Sequence, residues 1–278
     1  MTITAHTTDP VRLRYGGDAG TGPTLPVDEW NDVLRTQLGH RSVRAFRPDP
    51  VAEPVLSTIL VAAQSAPTSS NLQPWSVVVV TDPERKRRLA TAAGNQDFIA
   101  EAPVFLVWLA DYARIEQLGA SLDRPTEGLE FTDSALIAFV DAALAAQNAT
   151  LAAESLGLGT VFVGAVRNRP EAFRTELSLP HRVFPLFGTA IGHPDPDRPA
   201  QVKPRLPLGA VVHRERYDLD AQVPAATAYE ETIGRFYAEA GLAHSWRDRV
   251  TARLAGRDSL KGRDRIRQAL EAAGFPLR

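Results

Sequence analysis

Gly39-His40-Arg41-Ser42-Val43-Arg44-Ala45-Phe46 places a histidine, two arginines and a serine within five residues, directly after a stretch with helical periodicity. A guanidinium offers a planar fork of donors that matches phosphate, and serine adds a hydroxyl donor. Taken alone, a short basic run of this kind reads equally well as a solvated helix end. A second cluster, Ala66-Pro67-Thr68-Ser69-Ser70-Asn71-Leu72-Gln73-Pro74-Trp75, decides between the two readings. There, small hydroxyl residues, two amides and two prolines precede an apolar strand. Together the two segments describe a pocket for a phosphorylated, planar, hydrogen-bonding ligand.

Working outward, Asp28–Leu38 reads as a helix, with Trp30, Val33, Leu34 and Leu38 at helical spacing and Gly39 closing it. Pro54–Ala66 is a second helix. Trp75–Thr81, with its unbroken run of valines, predicts a buried central strand. Pro83–Ala93 is a charged helix and Pro103–Ala110 a second buried strand. Residues 111 to 132 read as a polar, irregular and mobile excursion. Asp133–Leu156 is the longest helix, apolar on most faces and so expected in a core or at a subunit interface. Strands follow at Thr160–Gly164 and Arg182–Ile191, with a short helix at Pro170–Leu177 between them. Residues 193 to 210 are a proline-rich loop, and from Thr227 onward the chain is helical, with Trp246 and Phe275 as anchors. Residues 1 to 27, rich in Thr, Gly, Pro and Asp, read as a loosely ordered extension. Residues 28 to 278 read as a single domain with a helical C-terminal extension. Strands interspersed with helices fit an α+β sandwich around one sheet.

Composition narrows the function. The chain has 278 residues, 44% hydrophobic and 23% charged, an ordinary balance for a globular protein. A formal charge of −2 argues against a nucleic-acid partner. Cysteine is absent, which excludes disulfides, thiol catalysis and cysteine metal sites. The six histidines are scattered without ligand spacing, so no metal site is expected. No uninterrupted apolar run approaches the roughly 20 residues of a membrane span, and the first ten residues lack the pattern of a signal peptide. The expectation is a cytoplasmic enzyme. Gly16, Gly17, Gly20 and Gly22 lack the strand and helix that a phosphate loop requires, and Gly157-x-Gly159 follows a helix rather than a strand.

These segments, in this order, resemble the FMN-dependent nitroreductase superfamily. Arg41-Ser42-Val43-Arg44-Ala45-Phe46 matches its Arg-Ser-x-Arg-x-Phe signature, and the Gln73-Pro74-Trp75 segment follows in place. Val161-Phe162-Val163-Gly164-Ala165-Val166-Arg167-Asn168, Leu186-Phe187-Gly188 and Lys203-Pro204-Arg205-Leu206-Pro207 extend the match over nearly the whole chain. Within the superfamily it is most similar to the oxygen-insensitive major nitroreductase and flavin reductase P group. The resemblance implies an α+β, nitroreductase-like sandwich with a central, mostly antiparallel sheet flanked by helices, assembled as an intertwined homodimer. It also implies FMN as cofactor and NADPH or NADH as electron donor. The partner substrate is then a small-molecule electron acceptor, a nitroaromatic, quinone or flavin, reduced in a ping-pong cycle.

Residue by residue, the resemblance assigns His40, Arg41 and Ser42 to the FMN phosphate or ribityl chain, with Lys203 and Arg205 completing the phosphate site. Arg44 falls at the N1–C2 edge of the flavin, where negative charge develops on reduction; as a bare residue it is equally a surface arginine paired with Asp49 or Glu53. Thr68, Ser69, Asn71 and Gln73 fall at the ribityl hydroxyls and ring edge, part of that segment coming from the partner subunit, and Gln96 at the pyrimidine edge. Gly164 and Ala165 bring backbone to flavin N5, where most relatives have two glycines. Lys203-Pro204-Arg205 alone reads as a solvated loop, and Thr68 to Gln73 as a turn that ends a helix. The arginines that select the 2′-phosphate of NADPH in relatives are absent from Tyr237 to Trp246, where His244 is the one basic residue. A non-catalytic FMN-binding or flavin-delivery protein, or another reaction on the same fold such as reductive dehalogenation, are the rival functions.

Overall fold

The computed structural model describes residues 10–15 and 31–278. Its helices are α1 (Pro10–Tyr15), α2 (Asp32–Gly39), α3 (Glu53–Gln64), α4 (Pro83–Ala92), α5 (Asp97–Glu101), α6 (Ala113–Ser121), α7 (Thr132–Ser155), α8 (Pro170–Glu176), α9 (Leu219–Glu239), α10 (Trp246–Arg253) and α11 (Ile266–Ala272). Its strands are β1 (Trp75–Val80), β2 (Val104–Asp111), β3 (Gly159–Val163) and β4 (Val183–Gly192). They fall into two compact units. The first joins the residues up to Arg41 with Gln201–Ser259, and the second joins Ser42–Ala200 with Leu260–Arg278.

The second unit is built on a four-stranded, fully antiparallel sheet in the order β1-β2-β4-β3. Side chains alternate across a strand, and β2 shows how this divides the core. Phe105, Val107 and Leu109 pack on one face with Leu89 of α4, Ile99 of α5 and Phe173 of α8. Val104, Leu106 and Trp108 pack on the other with Leu56 and Ile59 of α3 and the Ala145, Ala149 and Ala153 stripe of α7. Every residue of β2 is buried, and all but Asp111 at its end are apolar. The valine run of β1 suggested the same central position, but β1 is an edge strand with Val79 exposed. Helices cover both faces of the sheet, which makes even its edge apolar. Gly188 of β4 admits the Phe105 ring against its backbone, where any Cβ would overlap the ring.

Residues 111 to 132 are not an irregular excursion. They contain α6 and a 3₁₀ turn at Glu127–Glu130, and Arg182 fastens them to the C-terminus. Arg182 is buried. Its Nε donates to Glu116 Oε1 at 2.8 Å, its Nη2 to Glu130, and its Nη1 to the carbonyls of Leu129 and Gly274. Its backbone accepts from Tyr112 N and donates to Ala273 O. Phe275, Leu270 and Ala273 close the core beneath with Phe184, Leu186 and Ala138. Glu116 and Glu130 serve this ion network, while many of the segment's other polar residues face solvent. On the other side of the sheet, Arg88 and Arg85 of α4 grip Glu176 of α8 and draw its carboxyl down to about 2.

Among the described residues, α7 is the one helix long and apolar enough to cross a bilayer. The sequence reading missed this because Asp141 and Gln147 interrupt the apolar run. One face of α7 forms the core just described. In the first unit, α9 begins at Leu219 rather than Thr227 and runs through Pro224. The proline removes one i→i−4 bond, and the Asp218 side chain offsets part of that loss by accepting from Ala221 N. Helix α1 lies inside the stretch read as loosely ordered.

Replacing Arg182 by Met leaves two carboxylates and two carbonyls without their donor. Expected loss is about 2–3 kcal/mol at neutral pH, below the fully buried value because both carboxylates retain water contact. The hydrogen bond from Arg182 holds the Glu130 carboxyl below its usual range. That part of the stability is present above the unfolded value of about 4.3 and is lost as pH falls through the lowered folded value. Urea unfolding at several pH values should therefore show the gap between wild type and variant narrowing in acid.

Candidate active site

In the first unit, His40 and Lys203 to Arg205 are brought together by one buried side chain. Arg14 of α1 donates through Nε and Nη2 to Leu38 O, through Nη2 also to His40 O, and through Nη1 to Lys203 O at 2.9 Å. Its own carbonyl accepts from Arg205 N at 2.8 Å. Pro204, buried between the two cations, has its carbonyl bonded to Tyr229 Oη at 2.9 Å. A solvated loop would not have Lys203 O, Pro204 O and Arg205 N pinned in this way. The Arg41, Lys203 and Arg205 side chains are exposed while the backbone beneath is fixed, a donor set suited to an anion. Lys203 Nζ donates to Tyr237 Oη at 2.8 Å and lies over that ring, which leaves ammonium protons free for a ligand.

Tyr237 also stacks on His244, centroids 3.8 Å apart. Desolvation, then Arg249 and Lys203, push the His244 imidazole below its ordinary value, so it is neutral at pH 7.

In the second unit, the remaining candidates form two groups. The first runs along β3, from its start at Gly159 and Thr160 to the turn that follows it. Ser42 bridges Thr160, with Val43 N donating to Thr160 O at 2.9 Å. Gly159 makes this approach possible, because a Cβ there would run into the Val43 side chain. Buried Val43 and Phe46 anchor the segment and leave Arg44 exposed, its guanidinium 5.9 Å from the centre of the Phe98 ring of α5. Asp49 is paired with Arg47 at 2.8 Å, so the surface pairing considered for Arg44 falls to its neighbour. Gln96 precedes α5, and Gly94 beside it approaches Asn168. Gly164 and Ala165 begin the 3₁₀ turn after β3, half-buried, with the Arg167 guanidinium next to Gly164. Arg167 donates to Leu186 O, and burial lowers its pKa.

The second group is the Thr68–Gln73 turn before β1. Ser70, Asn71 and Gln73 all have positive φ, a conformation that non-glycine residues rarely adopt. Two charges of opposite sign hold the turn. Asp141, buried in α7, accepts from the Thr68 hydroxyl and from Ser69 N, and Thr68 Oγ1 accepts in turn from Gln73 N. At the other end, Arg114 of α6 donates to Gln73 O at 2.8 Å and Trp75 O at 3.2 Å. The two groups belong to opposite edges of the sheet, β3 and β1 being three strand spacings or roughly 14 Å apart, and Ser42 beside Thr160 lies toward the end of the sheet away from the turn.

The sequence reading missed Arg14, Arg114 and Asp141. Asp141 left a readable signal, a lone carboxylate inside an Ala, Leu and Val helix, which must find donors when buried. The two arginines left none, since their acceptors are main-chain carbonyls.

The model of the nitroreductase family matches residues 38–193, and that of the family's C-terminal domain matches residues 203–278. The chain belongs to the nitroreductase family. An FMN reductase [NAD(P)H] of Bacillus subtilis is 45% identical over 211 residues, 74% of this chain and 83% of that protein. Among solved structures, NfrA2 of Bacillus megaterium superposes with a TM-score of 0.84 at 34% identity, covering 90% of this chain and 100% of that one. The NADPH:FMN oxidoreductase of Vibrio harveyi, solved with NAD⁺, superposes with a TM-score of 0.79 at 37% identity, covering 89% and 100%. This nitroreductase-family chain shares their mixed helical and antiparallel fold, and the two family matches contain every candidate ligand named above.

Asp141→Ala should strip the acceptor from the Thr68 hydroxyl and the Ser69 N–H, costing on the order of 3 kcal/mol. A urea midpoint that falls with an unchanged m-value would report it. An unchanged midpoint would show that the turn holds itself.

Proposed function

We propose that this protein is a homodimeric, FMN-dependent oxidoreductase that transfers hydride from NAD(P)H to a flat small-molecule acceptor such as a quinone, a nitroaromatic or free flavin. The carrying observation is the meeting of half-buried His40 with exposed Lys203 and Arg205, more than 160 residues apart in the chain, on a pinned backbone. One compact anion site of this kind, without a dinucleotide fingerprint, suits a mononucleotide. The relatives described as FMN reductase and NADPH:FMN oxidoreductase favour the same reading.

FMN, when bound, supplies the ring that accepts and then gives up a hydride. The chain's own residues do the rest. His40, Arg41, Ser42, Lys203 and Arg205 would hold its phosphate and ribityl end. Arg44 would keep a positive charge at the edge where negative charge accumulates. Gly164 and Ala165, with little side chain, would let backbone approach the ring, and Gln96 would reach its pyrimidine edge.

The Thr68–Gln73 turn lies at the wrong edge of the sheet to join these residues in one chain, so in this reading a second copy supplies it. Support comes from α7, whose Leu136, Val140 and Leu144, four residues apart, form an exposed apolar stripe 54%, 56% and 38% accessible. The cytoplasm is the setting that belongs with this activity.

Purified protein should be yellow, release FMN rather than FAD by mass spectrometry, and bleach anaerobically on addition of NADH or NADPH. Yellow protein inert to both donors would point instead to a flavin carrier. Bleaching without turnover of quinones, nitroaromatics or flavins would point to another acceptor chemistry, such as reductive dehalogenation.

Donor selectivity should be weak. Neutral His244, already stacked on Tyr237, is a poor partner for a 2′-phosphate. The specificity constants for NADPH and NADH should lie within about tenfold, or roughly 1.4 kcal/mol. A preference of several decades in steady-state kinetics would assign a 2′-phosphate site to Arg247 and Arg249.

A further inference from the structure

Helix α1 lies outside both stretches that match the family, yet its Arg14 binds the backbone of each of them. We propose that Arg14 is a positioning residue for the flavin phosphate, and that helix α1 thereby forms part of the cofactor site. The inference rests on the reading of His40, Lys203 and Arg205 as phosphate ligands.

The physical reason lies at the end of α2. The last carbonyls of a helix lack intrahelical donors and carry the negative end of the helix dipole. Helix α2 ends at Gly39, immediately before the residues assigned to a phosphate. Left uncapped, Leu38 O and His40 O would present negative potential to that anion. Arg14 binds both, Leu38 O through two nitrogens, and so converts the end of α2 from repulsive to attractive. Its remaining bonds, from Nη1 to Lys203 O and from Arg205 N to Arg14 O, draw the second cationic segment to the same place. At 5% exposure the guanidinium itself is shielded, and it acts through the backbone it holds. A cavity of about 350 Å³ beside it is lined by Arg14, Tyr15, His40 and Arg205 among others. Binding of His40 O also polarises the His40–Arg41 peptide and makes the Arg41 N–H a stronger donor.

The test uses full-length protein freed of flavin and titrated by fluorescence with FMN and with riboflavin, which lacks the phosphate. Wild type should bind FMN much more tightly than riboflavin. In Arg14→Met the FMN dissociation constant should rise about 10- to 100-fold, the range seen when groups that orient ligands are removed. The riboflavin constant should move less than about twofold, since 1.4 kcal/mol already corresponds to tenfold. Should Arg14→Met fail to fold, Arg14→Lys keeps the charge but not the fork, and should show a smaller loss confined to FMN. Equal weakening of both flavins in whichever variant folds would make Arg14 a merely structural residue and overturn the inference. An unchanged ratio of FMN to riboflavin affinity would overturn it as well. A wild-type protein that does not distinguish the two flavins would instead overturn the phosphate reading on which it rests.

Discussion

Loop carbonyls must find donors, and in this protein arginines supply them. Every candidate binding segment is a turn or an extended stretch without a ladder partner on at least one side. Water can satisfy such carbonyls only at the cost of disorder, whereas a guanidinium offers five N–H groups in a fixed plane and can join several carbonyls at once. Arg14 gathers the backbone at residues 38, 40 and 203, Arg114 the residues before β1, Arg167 the carbonyl of Leu186, and Arg182 the C-terminal tail. Removing any of them frees main chain rather than a single contact. The exposed Lys203 and Arg205 are thus held in place by the buried Arg14.

That division explains what the sequence discloses. Helices and strands with a clear period, α3, α4, α7, β2 and β4, stand within two residues of where apolar spacing puts them. The family signature likewise names the exposed donors, since each matches a fixed motif. Three readings failed for definite reasons. A strand covered by helices on both faces looks the same in sequence at an edge as at the centre, and so β1 was misplaced. Polar residues 111 to 132 were assigned to solvent, although Glu116 and Glu130 face a buried Arg182. The C-terminal helix reads from Thr227 in the sequence, yet α9 starts at Leu219 and carries Pro224 inside it. Side chains that bind main-chain carbonyls carry no partner signature at all, because any residue can supply a carbonyl.

The same geometry frames the division of labour at the site. Ser42 and Arg44 belong to the sheet unit while His40, Arg41, Lys203 and Arg205 belong to the other, so the Arg41–Ser42 peptide joins the two. Strain marks the Thr68–Gln73 turn. Three non-glycine residues in left-handed conformation persist only where neighbours over-determine them. Asp141 and Arg114 do so here, which is expected of a turn held ready for a ligand and unnecessary in a plain connector.

The closing role of the last residues bears on how the chain is made. Strand β2 pairs with β4, some eighty residues downstream, and the core beneath them lacks Leu270 and Phe275 until that stretch has been made. Thr132 N and Arg278 N exchange hydrogen bonds with Arg278 O and Glu130 O, so Arg278 is part of the packing as well. Contacts this distant in sequence form slowly, and a nascent chain halted before Ile266 would expose α7 on more than one side. Biosynthesis therefore leaves an apolar helix of 24 residues waiting for its cover, and a chaperone that shields it would act at that interval.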